Sequence, residues 1–387
     1  MVLAAIALAL ALHARPAAAS SDRLFRAWYP QYRDIFNQII ETACAPQYAA
    51  YQDGNASFTI DEPGAPSDGA NTPGESVVQC ILNTTSEFIK ANMAAAAVLL
   101  GVMPVALSVL GSNSEESALI VIIARRPLLA TLLLAGSPVV VALQPFEYKD
   151  PVEILRSRER RFSSLNLGPR WLVLALEYII VLVALANVVH ATYQLSVGTV
   201  AMLLPDSFWL PGLWAASGVV VHLIGAMCLG SRLRVVDDHS AAMTKKQNWL
   251  VRLIRSEFTL SKHKRVTVET LPERKLFLAL SWTVSTCTTF HVIFGTLAFS
   301  SIQFISVRDA FGVVGRYTAS VTAGRIVAMY ELSGLRDSTA DTRDTTNVRT
   351  ADWNNGVKAL SPPPVSREPL SAGVNDSEKA HPRVHTV

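Results

Sequence analysis

Ionisable side chains placed inside long apolar blocks are the residues of this sequence that could do chemistry. Charged groups are costly within a membrane, so their presence there usually marks a functional site. Glu177 and His222 fall in neighbouring apolar blocks at similar expected depth, and a contact between them could relay a proton. The remaining candidates in apolar surroundings are His291, Asp309 and Arg316.

Motifs that would name a catalytic activity are absent from the sequence. It contains no Gly-rich phosphate loop, no HExxH, no CxxC pair, no GxSxG and no clustered histidine boxes. The Asp-Asp-His triplet at 237–239 lies in a charged loop without a fourth ligand nearby, so we interpret it as a solvated turn. Each intramembrane histidine is expected to bond a neighbouring helix. We therefore expect no catalytic residue, no metal and no cofactor.

The composition is that of a polytopic membrane protein. Of the 387 residues, 50% are hydrophobic and 17% are charged, whereas soluble domains hold about 25% charged residues. No nucleic-acid motif accompanies the net charge of +3, so the expected partner is the lipid bilayer. Since about 20 apolar residues span a bilayer, we predict an all-α membrane protein with about five transmembrane helices. The predicted spans are 91–110, 171–194, 208–230, 276–304 and 309–331.

Two basic loops determine the expected orientation. Residues 144–170 and 231–275 are rich in Lys and Arg, whereas the linker from 194 to 208 contains neither. Because short cytoplasmic loops collect basic residues, both loops are predicted to face the cytoplasm. The N-terminal segment then lies outside, and the chain between the first span and residue 144 must cross the membrane twice or not at all.

The apolar stretch over 121–141 contains Arg125 and Arg126 side by side, followed by Pro127. It is too short for two crossings. We predict a short interfacial helix, then the two arginines at the lipid headgroups, and then a re-entrant helix over 128–143 whose backbone is covered by protein. A plain sixth hydrophobic span over the same residues is the alternative.

The first residues have the pattern of a secretory signal peptide. Residues 1–19 contain a short apolar run followed by small residues suited to cleavage, and the run is too short to span a bilayer. An uncleaved anchor is the alternative, because no Lys or Arg precedes the run. Either reading predicts entry into the secretory pathway, and we expect the protein in the plasma membrane.

Residues 20–90 are predicted to form a small lumenal or extracellular domain. Cys44 and Cys80 lie in this segment, and in an oxidising compartment a disulfide between them would close a loop rich in Gly, Pro, Asp and Ser. Two free thiols are the alternative. The sequons at Asn55 and Asn83 predict N-glycosylation.

The second basic loop contains the pattern of an amphipathic helix. Leu253, Ile254 and Phe258 fall on one side, and Arg255 lies largely opposite. Such a helix could rest on the inner leaflet and favour anionic lipid. An ordinary packed cytoplasmic helix is the alternative.

The C-terminal part combines the least hydrophobic span with a polar tail. Within 309–331, small residues recur at four-residue spacing as Gly315, Ala319 and Ala323, which predicts a ridge for close helix packing. The transmembrane domain is thus predicted to cover 91–332. Residues 333–387 lack apolar periodicity and are predicted to form a disordered cytoplasmic tail.

Several stretches resemble a group of fungal integral membrane proteins. They are KANMAAAAVLLGVMPVALSVLGS, ARRPLLATLLLAGSP with FEYKDPVEIL, and FISVRDAFGVVG with GRIVAMYEL. The resemblance covers roughly residues 80–332. That group has no established activity, so the resemblance implies no catalytic residue and no function.

Two classes of function remain open on the sequence. We expect a non-enzymatic membrane protein that acts as a scaffold, a receptor-like protein or an accessory subunit of a partner protein. The alternative is a secondary transporter or channel that uses the intramembrane Glu, His, Asp and Arg groups. An internal repeat would favour transport, and none is evident in the sequence. An intramembrane enzyme is disfavoured by the missing motifs.

Overall fold

A computed structural model describes residues 24–53, 73–141, 169–236, 249–263, 267–272 and 274–359. The predicted signal peptide, Asn55 and most of the first basic loop lie outside these ranges.

Helices make up most of the described chain. In order they are α1 (Arg33–Thr42), α2 (Ala45–Gln52), α3 (Pro73–Thr84), α4 (Glu87–Leu110), α5 (Ser114–Ile122), α6 (Pro127–Gly136), α7 (Arg170–Gly198), α8 (Leu210–Gly230), α9 (Trp249–Glu257), α10 (Lys275–Ser300) and α11 (Val307–Ala359). Two short antiparallel strand pairs accompany them: β1 (Val200–Ala201) with β4 (Ile302–Gln303), and β2 (Leu233–Val236) with β3 (Thr267–Thr270). The predominantly helical fold is confirmed, while the strand pairs are an addition to the all-α prediction.

Four helices of the described chain are long and apolar enough to cross a membrane, namely α4, α7, α8 and α10. They contain 21 to 29 residues, which corresponds to about 32 to 44 Å of helix. They match four of the five predicted blocks, with ends shifted by a few residues. Large apolar side chains such as Val183 and Phe290 are exposed on the outside of the bundle, as suits helices surrounded by lipid.

The two strand pairs close opposite ends of this bundle. Strands β1 and β4 follow the C-termini of α7 and α10, whereas β2 and β3 lie between the C-terminus of α8 and the N-terminus of α10. We call the first the domain end, because α1 to α3 pack there, and the second the loop end. The ring of Phe304, just after β4, lies 5.5 Å from that of Trp28 and 5.3 Å from that of Phe36.

The N-terminal domain is closed by the predicted disulfide. Cys44 and Cys80 are bonded, with their Cα atoms 5.9 Å apart. This bond joins the start of α2 to α3 across the intervening loop. Asn83 is exposed near the end of α3, so its side chain is accessible on the domain surface.

The predicted fifth block lies in the first part of α11. This helix is less apolar than the four candidate spans, yet Tyr317 and Val321 are fully buried in the main core of the bundle. The packed part of α11 extends past the predicted boundary at residue 332, since Leu335 is also fully buried.

The predicted packing ridge on α11 is wrong. A Cβ atom added at Gly315 would meet no atom within 4 Å, and Ala319 is exposed. The buried face carries Val313 and Tyr317 instead. Larger apolar side chains remove more surface from water or lipid contact than glycine or alanine, so they occupy the contact face.

Two short helices enter the bundle without crossing it. Helix α5 packs against α8 and buries Leu119 fully, so it lies inside the bundle rather than at its surface. Helix α6 has 10 residues, about 15 Å. Its last residue, Gly136, approaches the backbone of Leu185 in the middle of α7. The chain then continues without regular secondary structure over 137–141 and is buried as far as Val140, so α6 by itself is too short to span a bilayer, which takes about 20 helical residues.

Candidate functional site

Arg126 is completely buried at the junction between α5 and α6, with an exposed fraction of 0%. Its Nη1 atom donates to the carboxylate of Glu177 on α7 at 2.8 Å and to that of Glu331 on α11 at 2.7 Å. Its Nε atom donates to the backbone carbonyl of Glu257 at the end of α9 at 2.9 Å. Arg126 is therefore enclosed by protein, and acceptors from three elements compensate its charge; its predicted depth at the lipid headgroups stays a prediction. We call Arg126, Glu177, Glu257 and Glu331 the arginine cluster.

Two of these carboxylates share one cationic nitrogen. Glu177 and Glu331 are 4% and 1% exposed, and both contact Nη1 of Arg126. A single guanidinium neutralises only one of them, and two carboxylates in one buried site tend to hold a proton between them. The Oε1 atom of Glu177 and the Nη2 atom of Arg126 are buried without a hydrogen-bond partner in the described part of the chain. The pair can therefore bind a proton or a polar ligand.

Glu257 ties α9 to the start of α6. Its carboxylate accepts hydrogen bonds from the backbone N–H groups of Leu128 at 3.1 Å and Leu129 at 2.8 Å, and from the hydroxyl of Tyr178 at 2.7 Å. The N-terminus of a helix favours a negative charge. Glu257 is therefore balanced by α6 and does not compete for the guanidinium of Arg126 through its carboxylate.

Backbone geometry at the turn between α5 and α6 is unusual. Arg125 has a φ of 49°, in the left-handed region that non-glycine residues seldom adopt. Its carbonyl accepts a hydrogen bond from the hydroxyl of Ser256 on α9 at 2.7 Å. Helix α9, at the loop end, therefore contacts both this turn and Arg126 of the arginine cluster.

Two histidines hold the extended segment that follows α6. The Nε2 atom of His291 lies 3.2 Å from the carbonyl oxygen of Pro138, and that of His222 lies 3.2 Å from the carbonyl oxygen of Val139. The Nδ1 atom of His291 is 2.9 Å from the hydroxyl of Ser217 on α8. Each histidine thus bonds backbone that no regular helix covers. His291 also bonds the neighbouring helix α8, as expected, whereas His222 bonds the segment after α6 instead of a helix.

A small cavity with a mostly apolar lining lies beside the C-terminal ends of α4 and α6. Ser112, Ser137 and His222 line it together with apolar side chains, and it offers about 10 Å³ to the centre of a water molecule. That is room for about one water. The Nδ1 atom of His222, whose side chain is 1% exposed, has no partner within the described ranges.

The hypothetical contact between Glu177 and His222 is replaced by other contacts. Glu177 faces Arg126, while His222 faces the carbonyl of Val139. Glu257 and Glu331 were not predicted as site residues from the sequence. Glu331 lies at the end of a predicted span, which gave only weak sequence evidence for a role in the site. Glu257 lies in a predicted loop, where nothing in the sequence indicated such a role.

The last two candidates, Asp309 and Arg316, lie at the domain end, away from the arginine cluster. The carboxylate of Asp309 accepts hydrogen bonds from the hydroxyl of Ser306 at 3.0 Å and from the backbone N–H of Gln31 at 3.3 Å. The Nε atom of Arg316 donates to the side-chain oxygen of Asn187 on α7 at 2.9 Å. The two residues therefore contact other elements rather than each other.

Comparisons of the chain with protein-family models, curated proteins and solved structures give no match. The resemblance to fungal membrane proteins stays a prediction, and the function is argued from geometry.

Proposed function

We propose that the protein is a proton-linked secondary transporter. The observation that carries this proposal is the arginine cluster, where one buried guanidinium faces the carboxylates of Glu177 and Glu331. A buried pair with one excess negative charge can take up and release a proton. Intramembrane acidic groups of this kind serve as proton relays in transporters.

A helix that ends inside the bundle supports the same proposal. Helix α6 ends beside the middle of α7 and is followed by non-helical backbone over 137–141. Secondary transporters bind substrates and ions where discontinuous helices expose backbone groups near the centre of the bilayer. The serine-lined cavity beside His222 adjoins the end of α6.

The proposed topology has five crossings and one re-entrant pair. We take the first part of α11 as the fifth span, because its charged residues find partners: Arg325 pairs with Glu116 on α5, and Glu331 pairs with Arg126. Pairing lowers the cost of charges at this depth. The domain end then faces outward, while the loop end and the C-terminal tail face the cytoplasm.

Proton-linked transport is tested with the full-length protein reconstituted in vesicles on a solid-supported membrane. Carboxylates, phosphate esters, amino acids and sugars are applied in turn under an imposed pH difference. At least one class should elicit a current that grows with the pH difference, and Glu177→Gln should reduce it by at least about tenfold because the shared proton is lost. Glu87→Gln is the matched control, since Glu87 is exposed on α4.

Infrared spectroscopy of the same samples provides a second measurement. The wild type should show a protonated carboxyl band that Glu177→Gln removes and Glu87→Gln retains. Absence of both this band and a pH-dependent current would contradict the proposal.

The second candidate is the non-enzymatic scaffold, receptor-like or accessory role expected from the sequence. The close packing of the bundle favours this role, because the cavity beside His222 has room for about one water and not for a larger substrate. In that case Glu177→Gln should alter thermal stability without any associated current.

Helix α9 is proposed to rest on the cytoplasmic leaflet. Leu253, Ile254 and Phe258 are exposed by 38%, 50% and 56%, although Glu257 anchors the end of the helix. An exposed apolar face next to basic residues suits an anionic lipid surface.

A further inference from the structure

A cavity of about 540 Å³ lies at the domain end, between the N-terminal domain and the adjoining parts of α7 and α11. This volume falls within the range of small-molecule sites. Trp28, Pro30, Val197 and Val313 contribute apolar walls. It is separate from the arginine cluster, and nothing in the transport proposal uses it.

The lining of this cavity is positively charged. Three arginines, Arg33, Arg308 and Arg316, line it together with one acid, Asp309, which leaves a formal excess of two positive charges. Arg308 is exposed and forms no hydrogen bond or ion pair within the described residues. Its guanidinium is therefore free to bind a ligand.

Among the described residues, the partners of Arg316 are all neutral. Its guanidinium contacts the side-chain oxygens of Asn187 and Gln194 and lies 2.7 Å from the Nδ1 atom of His190. These contacts fix its position but leave its charge without a counter-ion in the described part of the chain. Buried and half-buried charges are usually paired, so the position of Arg316 favours an anion in the adjoining cavity.

A neutral hydrogen-bond donor also favours an anion. The hydroxyl of Tyr29 is buried at the cavity without a partner among the described residues. Burial raises the pKa of this phenol well above its ordinary value, so it remains a neutral hydrogen-bond donor.

We propose that this cavity binds a phosphate monoester through Arg33, Arg308 and Arg316. Guanidinium groups match phosphate oxygens in geometry, and a phosphate monoester carries about −1.5 to −2 charges at neutral pH, close to the excess of the lining. The ester is either the headgroup of phosphatidic acid or a free phosphate ester such as glycerol 3-phosphate. The lipid is a candidate because the cavity adjoins the proposed outer leaflet.

The experiment uses the full-length protein in phosphatidylcholine nanodiscs. Glycerol 3-phosphate is titrated by calorimetry, and short-chain phosphatidic acid is titrated by native mass spectrometry. At least one should bind saturably, with affinity that falls as salt concentration rises. Arg33→Gln and Arg308→Gln should each weaken binding by about tenfold, the factor that corresponds to 1.4 kcal/mol, whereas Arg255→Gln at the loop end should not. Binding of phosphatidic acid would identify a lipid as the source of the phosphate, and binding of glycerol 3-phosphate would identify a free ester.

A pair of glycine variants separates binding from folding. A Cβ atom at Gly312 would meet no atom within 4 Å, so Gly312→Leu can fold while its side chain fills part of the cavity. Gly315 on the same helix is equally open but does not line the cavity. Gly312→Leu should abolish binding and Gly315→Leu should retain it. No saturable binding of either probe, or equal binding by all variants, would overturn the proposal.

Discussion

On folding, the guanidinium of Arg126 leaves water and forms hydrogen bonds with oxygen atoms of α7, α9 and α11. Removing a charged group from water costs several kcal/mol, and this cost is offset only when the partners are close and well oriented. The partners Glu177 and Glu331 are themselves buried. The burial of the two carboxylates therefore depends on the guanidinium, and the burial of the guanidinium depends on the carboxylates.

Loss of the guanidinium should consequently destabilise the protein more than loss of a surface arginine. Arg126→Gln should lower the free energy of unfolding by about 3 to 5 kcal/mol, because it leaves two carboxylates buried without a cation. Adding Glu331→Gln should recover part of this loss, since one of the unpaired charges is then removed. Thermal and denaturant unfolding in detergent measure both effects, with Arg255→Gln as the control. An Arg126→Gln protein as stable as the wild type would show that the cluster is not formed.

At the scale of elements, the extended segment after α6 passes very close to α8. A Cβ atom at Gly218 would lie 2.5 Å from the carbonyl oxygen of Pro138, which also accepts the hydrogen bond from His291. Only a glycine permits this approach of backbone to backbone. The packing of the re-entrant segment therefore depends on one residue of α8.

Alanine at this position should disturb the contact between the two elements. Gly218→Ala should destabilise the protein by about 1 to 3 kcal/mol, because the clash exceeds the gain in helix propensity. Gly315→Ala offers a matched control in another helix, where no atom lies within 4 Å of the added Cβ, and it should be neutral or slightly stabilising. The measurement is the unfolding midpoint of each variant in the same detergent. Equal midpoints for the two variants would exclude the close approach at Gly218.

At the scale of the whole molecule, the bundle separates a disulfide-closed domain at one end from α9 and a strand pair at the other. The distribution of Lys and Arg supports the proposal that the loop end faces the cytoplasm. In the proposed topology α5 and α6 are re-entrant, so the chain reaches the first basic loop after a single crossing.

This orientation predicts which surface cysteines react from outside the cell. Gln38 on α1 and Arg255 on α9 are exposed at the domain end and the loop end. An impermeant maleimide should label Gln38→Cys in intact cells, and it should label Arg255→Cys only after permeabilisation. The wild type, with Cys228 and Cys287 as its free thiols, provides the background. Labelling of Arg255→Cys in intact cells would reverse the proposed orientation.

The long apolar helices and the disulfide were predictable from the sequence, since they depend on local properties. A run of about 20 apolar residues must form a helix in lipid whatever its neighbours are. Cys44 and Cys80 flank a stretch of polar residues in a segment that the sequence predicts to enter the secretory pathway, which predicted their pairing. The turn of the chain at Pro127 and the helix after it were predicted in the same way, because proline favours the first position of a helix.

The contacts of the charged residues were decided only by the tertiary structure. Spacing along one helix cannot tell that Arg126 meets residues 51 and 205 positions away, at Glu177 and Glu331. The hypothetical pair of Glu177 and His222 does not form, because each residue contacts a different partner. The face of α11 was mispredicted for the same reason, because small residues permit close packing without requiring it. Such pairings depend on which helices lie side by side, and that arrangement is set by the packing of the whole bundle rather than by any short stretch of sequence.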